Sequence, residues 1–127
     1  MGLFSGFKSK EKTSFPWIEL NSIEQLKEAI EGSTERPIVL FKHSTRCSIS
    51  SMAKTRFETN WNIENSAADL YYLDLLEHRN ISAEIAELTN IQHQSPQAIV
   101  LQNKVVIYQD SHSGIDAKEI ENTIKSN

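Results

Sequence analysis

The 127 residues contain one cysteine, no excess of positive charge and no apolar stretch long enough to span a bilayer. A lone thiol cannot close an internal disulfide. That excludes the small secreted domains held by disulfides and favours a reducing compartment, so a cytoplasmic protein is expected. A formal charge of -4 argues against a general nucleic-acid binder or a binder of anionic membranes, since those carry net positive charge on the domain. Near the N-terminus, Leu3, Phe4 and Phe7 are apolar but not continuous, so neither a signal peptide nor an anchor is expected. Gly2 does not begin an acylation pattern, because Gly6 stands where Ser or Thr is needed. Histidines at 43, 78, 93 and 112 lack the paired spacing of a metal site, and no metal is expected. Internal repeats and low-complexity tracts are also missing.

What is present is one ordinary domain. The hydrophobic fraction of 39% is enough for a core without disulfides or metal. Residues 1–14 read as a polar, Lys-rich lead-in and 15–127 as a single domain. Phe15–Leu20 reads as a short strand, followed by a helix capped by Asn21 or Ser22, with Ile23, Leu26, Ala29 and Ile30 on one face and Gly32 at its end. Pro37–Phe41 is a nearly continuous apolar run, which marks a strand buried on both faces. From Ser48 to about Trp61 the pattern predicts a helix, with Ile49, Met52, Ala53, Phe57 and Trp61 as inward residues. Leu70–Asp74 predicts a strand, and Ser82–Leu88 a short helix capped near Asn80 or Ser82 and ended by Asn90. Gln97–Leu101 and Val105–Tyr108 predict an antiparallel hairpin, and Asp116 caps a last helix carrying Ile120 and Ile124. The order β-α-β-α-β-α-β-β-α implies a mixed α/β sheet covered on both faces.

Cys47 falls where the central apolar run gives way to a helical pattern. A thiol at a strand-to-helix junction lies beside free backbone N–H groups and the positive end of the helix dipole, both of which stabilise a thiolate. Chemistry is therefore expected at this sulfur.

That element order, a cysteine after the second strand and Ser95-Pro96 directly before the hairpin together resemble the thioredoxin-like fold, over roughly residues 15 to 125. The resemblance implies that Pro96 follows a cis peptide bond and faces the sulfur, and X–Pro is the one common place for such a bond. An edge strand opening on a trans proline is the bland alternative. Thioredoxins carry Cys-x-x-Cys, whereas this chain has Cys47-Ser48-Ile49-Ser50, so a mixed disulfide on Cys47 must be resolved by an outside thiol. The finer match is to the monothiol bacilliredoxins (YtxJ-like, of the bacillithiol system), whose site resembles Ser-Thr-x-Cys-Pro-Ile-Ser. Here the run is Ser44-Thr45-Arg46-Cys47-Ser48-Ile49-Ser50, and His43, Trp61-Asn62 and Gln94-Ser95-Pro96-Gln97 are also similar to that family. Ser48 departs from the usual proline, restoring an N–H and adding a hydroxyl at the first helical turn.

The resemblance implies an enzyme that removes bacillithiol from protein mixed disulfides, with Cys47 as nucleophile and Ser50, Arg46 and Ser48 in support. Ser95 and Pro96 would clamp the substrate chain. Lys42, His43 and Arg46 would meet the carboxylates of bacillithiol's malyl group, with solvated charge at a strand end as the alternative for all three. Ser113 and Gly114, ahead of Asp116, would touch the small thiol as in the Gly-rich turn of related glutaredoxins, or Gly114 serves only the turn. His93 and His112 lie on loops that approach the sulfur in such folds, with surface polarity as their plainer reading. The implied co-substrate is bacillithiol, with no bound cofactor, and the implied partners are bacillithiolated proteins, with no nucleic acid or membrane; a monomer is expected. Two other readings stand beside this one: an iron–sulfur carrier of the monothiol glutaredoxin kind, and a non-catalytic adaptor with an inert cysteine.

Overall fold

A computed structural model describes residues 15–62 and 67–126. The lead-in expected at 1–14 lies outside the described residues. The elements, in chain order, are β1 (Trp17–Glu19), α1 (Ile23–Gly32), β2 (Ile38–His43), α2 (Ser48–Asn60), β3 (Asp69–Asp74), α3 (Arg79–Thr89), β4 (Gln97–Gln102), β5 (Val105–Ser111), a 3-10 turn at His112–Gly114 and α4 (Ala117–Lys125). This is the order the sequence implies.

The strands form one sheet in the order β1-β3-β2-β4-β5. β1, β3 and β2 run parallel, whereas β4 runs antiparallel to β2 and β5 antiparallel to β4. Every residue of β2 is buried, as the apolar run requires of a strand covered on both faces. Alternation along β2 sends Val39 and Phe41 to the face packed by α2 and α4, and Ile38 and Leu40 to the face packed by α1 and α3. On the first face Trp17, Phe41, Phe57 and Trp61 form an aromatic chain with successive ring centroids 5.4–5.5 Å apart.

Local chemistry explains the ends of several elements. Ser22 Oγ accepts the Gln25 N–H at 3.0 Å to start α1, and Asp116 Oδ1 accepts from the N–H groups of Lys118 and Glu119 to start α4. Asn90 closes α3 in the left-handed region, at φ 58°. Asn103 and Lys104, at φ 55° and 64°, make the two-residue turn that matches the twist of the β4–β5 hairpin.

The sequence expectations fail at three places. Ile49 and Met52 do not face inward but are 60% and 67% exposed, because α2 lays Ser50, Ala53 and Phe57 against the sheet instead. α3 begins at Arg79, well before Ser82, and its N-cap His78 makes no side-chain capping bond, so no capping signal marks the start. β2 continues through Lys42 and His43, because β3 pairs with it as far as Asp74 and β4 as far as Gln97.

Candidate active site

β2 and β3 are parallel neighbours, and the loops after their carboxyl ends form the site. The chain leaves β2 at His43, whose carbonyl accepts the Leu75 N–H from the turn after β3 at 3.0 Å. Ser44 to Cys47 make a tight turn, with the Cys47 N–H on the Ser44 carbonyl at 3.2 Å. Cys47 is the N-cap of α2, in extended conformation (φ −109°, ψ 121°), and its carbonyl accepts the Ser51 N–H at 3.0 Å. Its side chain makes no capping bond and is half-buried, so the sulfur stands at a helix start with a route to solvent. The free N–H groups of the first helical turn lie at the same end of α2.

Ser50 holds this turn in place. Its buried hydroxyl accepts the Ser44 N–H at 3.0 Å and shares a 2.7 Å hydrogen bond with His43 Nδ1, so strand end, turn and helix are joined at one oxygen. The structure therefore sets Ser50 to support Cys47 by holding the turn that carries it. His43 is only 5% exposed and packs on Tyr72 with ring centroids 5.6 Å apart. Burial, aided by the Lys54 ammonium, pushes its pKa below the ordinary histidine value; Asp74, the Ser50 bond and Glu58 oppose this without reversing it. His43 is thus a neutral, inward ring, and its expected role as a surface contact for carboxylates is corrected: as a sheet residue it points to the α2 face.

Lys42 is corrected for the same reason. It is 0% exposed on the α1/α3 face, so neither a solvated strand-end charge nor a ligand for carboxylates describes it. Its Nζ donates to Gln97 Oε1 at 2.9 Å, and burial lowers its pKa from 10.5 to about 8. The same Gln97 oxygen accepts the Gln94 N–H at 3.4 Å, and Gln97 Nε2 donates to the Gln92 carbonyl at 3.1 Å. One buried ammonium therefore anchors the side chain that shapes the loop before Pro96.

Gln97 lies opposite Lys42 in the sheet, so Ser95-Pro96 project from the same sheet edge as the turn that carries Cys47. The Ser95–Pro96 peptide bond is cis. Ser95 Oγ is buried without a hydrogen-bond partner among the described residues. The Pro96 carbonyl accepts the His112 N–H at 2.9 Å, and Arg56 of α2 donates to the His112 carbonyl at 3.3 Å, which brings the 3-10 turn against both the proline and α2. In that turn Ser113 and Gly114 are exposed, and a Cβ on Gly114 would run into the Asp110 carboxylate. A side chain at 114 would require the Asp110 carboxylate to move. Arg46 and Ser48 are exposed on either side of Cys47. His93 is exposed, with Nδ1 3.1 Å from Ser82 Oγ.

A cleft of about 400 Å³ opens beside the Cys47 turn, lined by Thr45, Arg46, Asp74, Leu76, Glu77 and Arg79. Of these, the sequence points only to Arg46. Asp74, Glu77 and Arg79 reach the site through strand pairing, which no local motif announces. Among the described residues there is no group of His, Cys, Asp and Glu that could hold a metal ion, and no helix is long and apolar enough to cross a membrane.

Comparison with known proteins agrees with this architecture. A family model described as monothiol bacilliredoxin BrxC matches residues 18–120. A solved structure described as a candidate oxidoreductase with a thioredoxin fold is 30% identical, with TM-score 0.74, covering 85% of this chain and 93% of the other. Thioredoxins of Malassezia sympodialis (17% identity, TM-score 0.66, 94% and 96% covered) and Nicotiana alata (14%, 0.69, 93% and 97%) share the fold.

Proposed function

Because the chain belongs to the monothiol bacilliredoxin family, we propose that it is a thiol–disulfide oxidoreductase that removes bacillithiol from protein mixed disulfides. The observation that carries this reading is the position of Cys47: the N-cap of α2, half-buried, with its side chain uncommitted. A second cysteine is absent from the chain, so the cycle must be monothiol.

The Cys47 thiolate attacks the bacillithiol sulfur of a client's mixed disulfide. The client S–S bond breaks, the client leaves as a thiolate that takes a proton from water, and a Cys47–bacillithiol disulfide forms. A second bacillithiol thiolate then attacks the bacillithiol sulfur of that adduct, giving bacillithiol disulfide and restoring the Cys47 thiolate. Electrons balance, since the client's mixed disulfide and one bacillithiol thiol become the client thiol and one bacillithiol disulfide over the cycle. Ser50 and His43 keep the Cys47 turn rigid, which favours attack from a fixed sulfur. Ser95 offers its backbone, next to Pro96, for hydrogen bonds to the client chain. Arg46 offers charge to the carboxylates of the small thiol.

The test is a client protein bacillithiolated at one known cysteine, incubated with bacillithiol and either the wild-type chain or Cys47→Ala. Loss of the cap by mass with wild type alone is the expected result. Equal loss with both would remove Cys47 from the reaction, and no loss with either would end the reading.

A further inference from the structure

The Lys54 ammonium is gripped from three elements. Its Nζ is 2.7 Å from Glu58 Oε2 on α2, 5.9 Å from the centroid of the Trp17 ring on β1 and 5.3 Å from that of the Tyr72 ring on β3. Glu58 Oε2 is itself fixed, since it also accepts the Trp17 indole N–H at 2.6 Å. A Lys–Glu pair four residues apart on a helix is ordinarily a loose surface contact. This one is half-buried and held by two aromatic rings.

From Tyr72 the contacts run on to the site. Its ring packs on the His43 ring, His43 Nδ1 shares the 2.7 Å bond with Ser50 Oγ, and that oxygen accepts the Ser44 N–H at the start of the Cys47 turn. The direction of the 2.7 Å bond matters. Ser50 has one hydroxyl proton, is 1% exposed, and its oxygen makes no third hydrogen bond among the described residues. With a bare Nδ1 on His43, the hydroxyl donates to it and both side chains are satisfied. With a proton on Nδ1 the nitrogen donates instead, and the buried hydroxyl proton is left without an acceptor. Protonation of His43 therefore works against the turn. The charged groups facing His43 are Lys54 and Glu58 of α2 and Asp74 at the end of β3, while the Tyr72 phenol stays neutral, its pKa raised by burial. Asp74 and Glu58 favour a proton on the imidazole, and Lys54 opposes it.

We propose that Lys54 is a positioning residue for Cys47: its anchored ammonium sets the direction of the Ser50–His43 hydrogen bond and thereby holds the turn that presents the thiol. This deepens the function proposed above by adding a residue to its site, and it does not depend on which small thiol caps the client. Without the ammonium, Glu58 and Asp74 are the charges left facing His43, so the imidazole takes its proton at higher pH and the turn loosens there.

The test needs no bacillithiol. Two-bond proton–nitrogen NMR correlations report the tautomer and titration of His43, and iodoacetamide alkylation of Cys47 is followed over the same pH range, for wild type, Lys54→Met and Lys54→Arg. Methionine keeps the aliphatic stem without the charge, and arginine keeps the charge. Wild type is expected to show a bare Nδ1 at neutral pH. In Lys54→Met the His43 titration moves to higher pH, and on its acid side alkylation slows by about threefold or more relative to wild type, whereas Lys54→Arg follows wild type. A proton on Nδ1 in wild type at neutral pH overturns the proposal whether or not the variants fold. So does a His43 titration that Lys54→Met leaves in place, or one that moves while the alkylation profile does not. Because alkylation reads the thiol directly, any of these results leaves removal of the bacillithiol cap as a separate test of the function itself.

Discussion

Replacing Lys42 with Met should make this protein more stable and less active. Lys42 is fully buried, and its pKa falls from 10.5 to about 8. The shift is equivalent to about 3 kcal/mol of disfavoured ammonium at neutral pH, because each unit corresponds to about 1.4 kcal/mol. The sign follows from proton counting. Between pH 8 and 10.5 the unfolded chain binds the proton that the folded chain has released, so stability rises with pH across that window and is lowest below it. From pH 7 to pH 9.5 this group alone should add about 2 kcal/mol to wild-type stability, and nothing to Lys42→Met. Methionine removes the charge cost, while Gln97 loses a donor worth about 1 kcal/mol, so the variant should gain about 2 kcal/mol at pH 7. Urea denaturation of both proteins at pH 7 and 9.5 measures the two differences. Because Gln97 then grips the loop before Pro96 alone, kcat/KM for a protein client should fall by roughly tenfold. A stability gap between the two proteins that is the same at both pH values would refute the reasoning about the charge; unchanged kcat/KM would refute the role given to the loop.

Ser50→Ala removes both bonds of the oxygen that joins His43 to the Ser44 N–H, so it should cost about 1–3 kcal/mol in denaturant titration and slow single-turnover attack by Cys47. His43 is held neutral with a lowered pKa, so its contribution to stability is complete above the unfolded value of 6.5 and is lost as pH falls below it. His43→Gln should therefore show a shallower loss of stability than wild type as pH falls below 6.5, and equal slopes would count against a buried neutral ring. Ile49→Ser and Met52→Ser lie on the exposed face of α2 next to Cys47, and should change stability by no more than about 0.5 kcal/mol. For a protein client they should raise KM, whereas for bacillithiol disulfide they should not; an equal effect on both substrates would show that this face does not meet the client.

Local signals carried much of the fold. α1 was legible because Ile23, Leu26, Ala29 and Ile30 recur at helical spacing behind a capping serine, and the hairpin because two apolar runs flank a three-residue break. α2 was legible as a helix, with Ala53, Phe57 and Trp61 inward as expected, but Ile49 and Met52 were turned the wrong way. Its sequence offers two stripes at the same spacing, Ile49-Met52-Arg56 and Ser50-Ala53-Phe57, one residue apart and so turned by about 100°. Ile49 and Met52 are apolar enough to be read as inward with Ala53, Phe57 and Trp61, whereas the sheet takes only the second stripe, with Phe57 joining the aromatic chain and Ser50 bonding His43. Lys42 and His43 were misplaced because polar side chains after an apolar run look like a strand end, and only the lengths of β3 and β4 show that pairing continues. Cys47 at a helix start was legible from its position between two patterns. Asp74, Glu77 and Arg79 were not, since the β2–β3 pairing that brings them beside Arg46 is a long-range fact.

The most direct test of the account is a single turnover without free bacillithiol. Equimolar client protein carrying one bacillithiol cap is mixed with the chain, and both are weighed by intact mass spectrometry as a function of time. The account predicts that the client loses its cap as Cys47 gains it, in equal amounts, and that the adduct persists until bacillithiol is added. A client that keeps its cap, or one that loses it while Cys47 stays unmodified, would contradict the account.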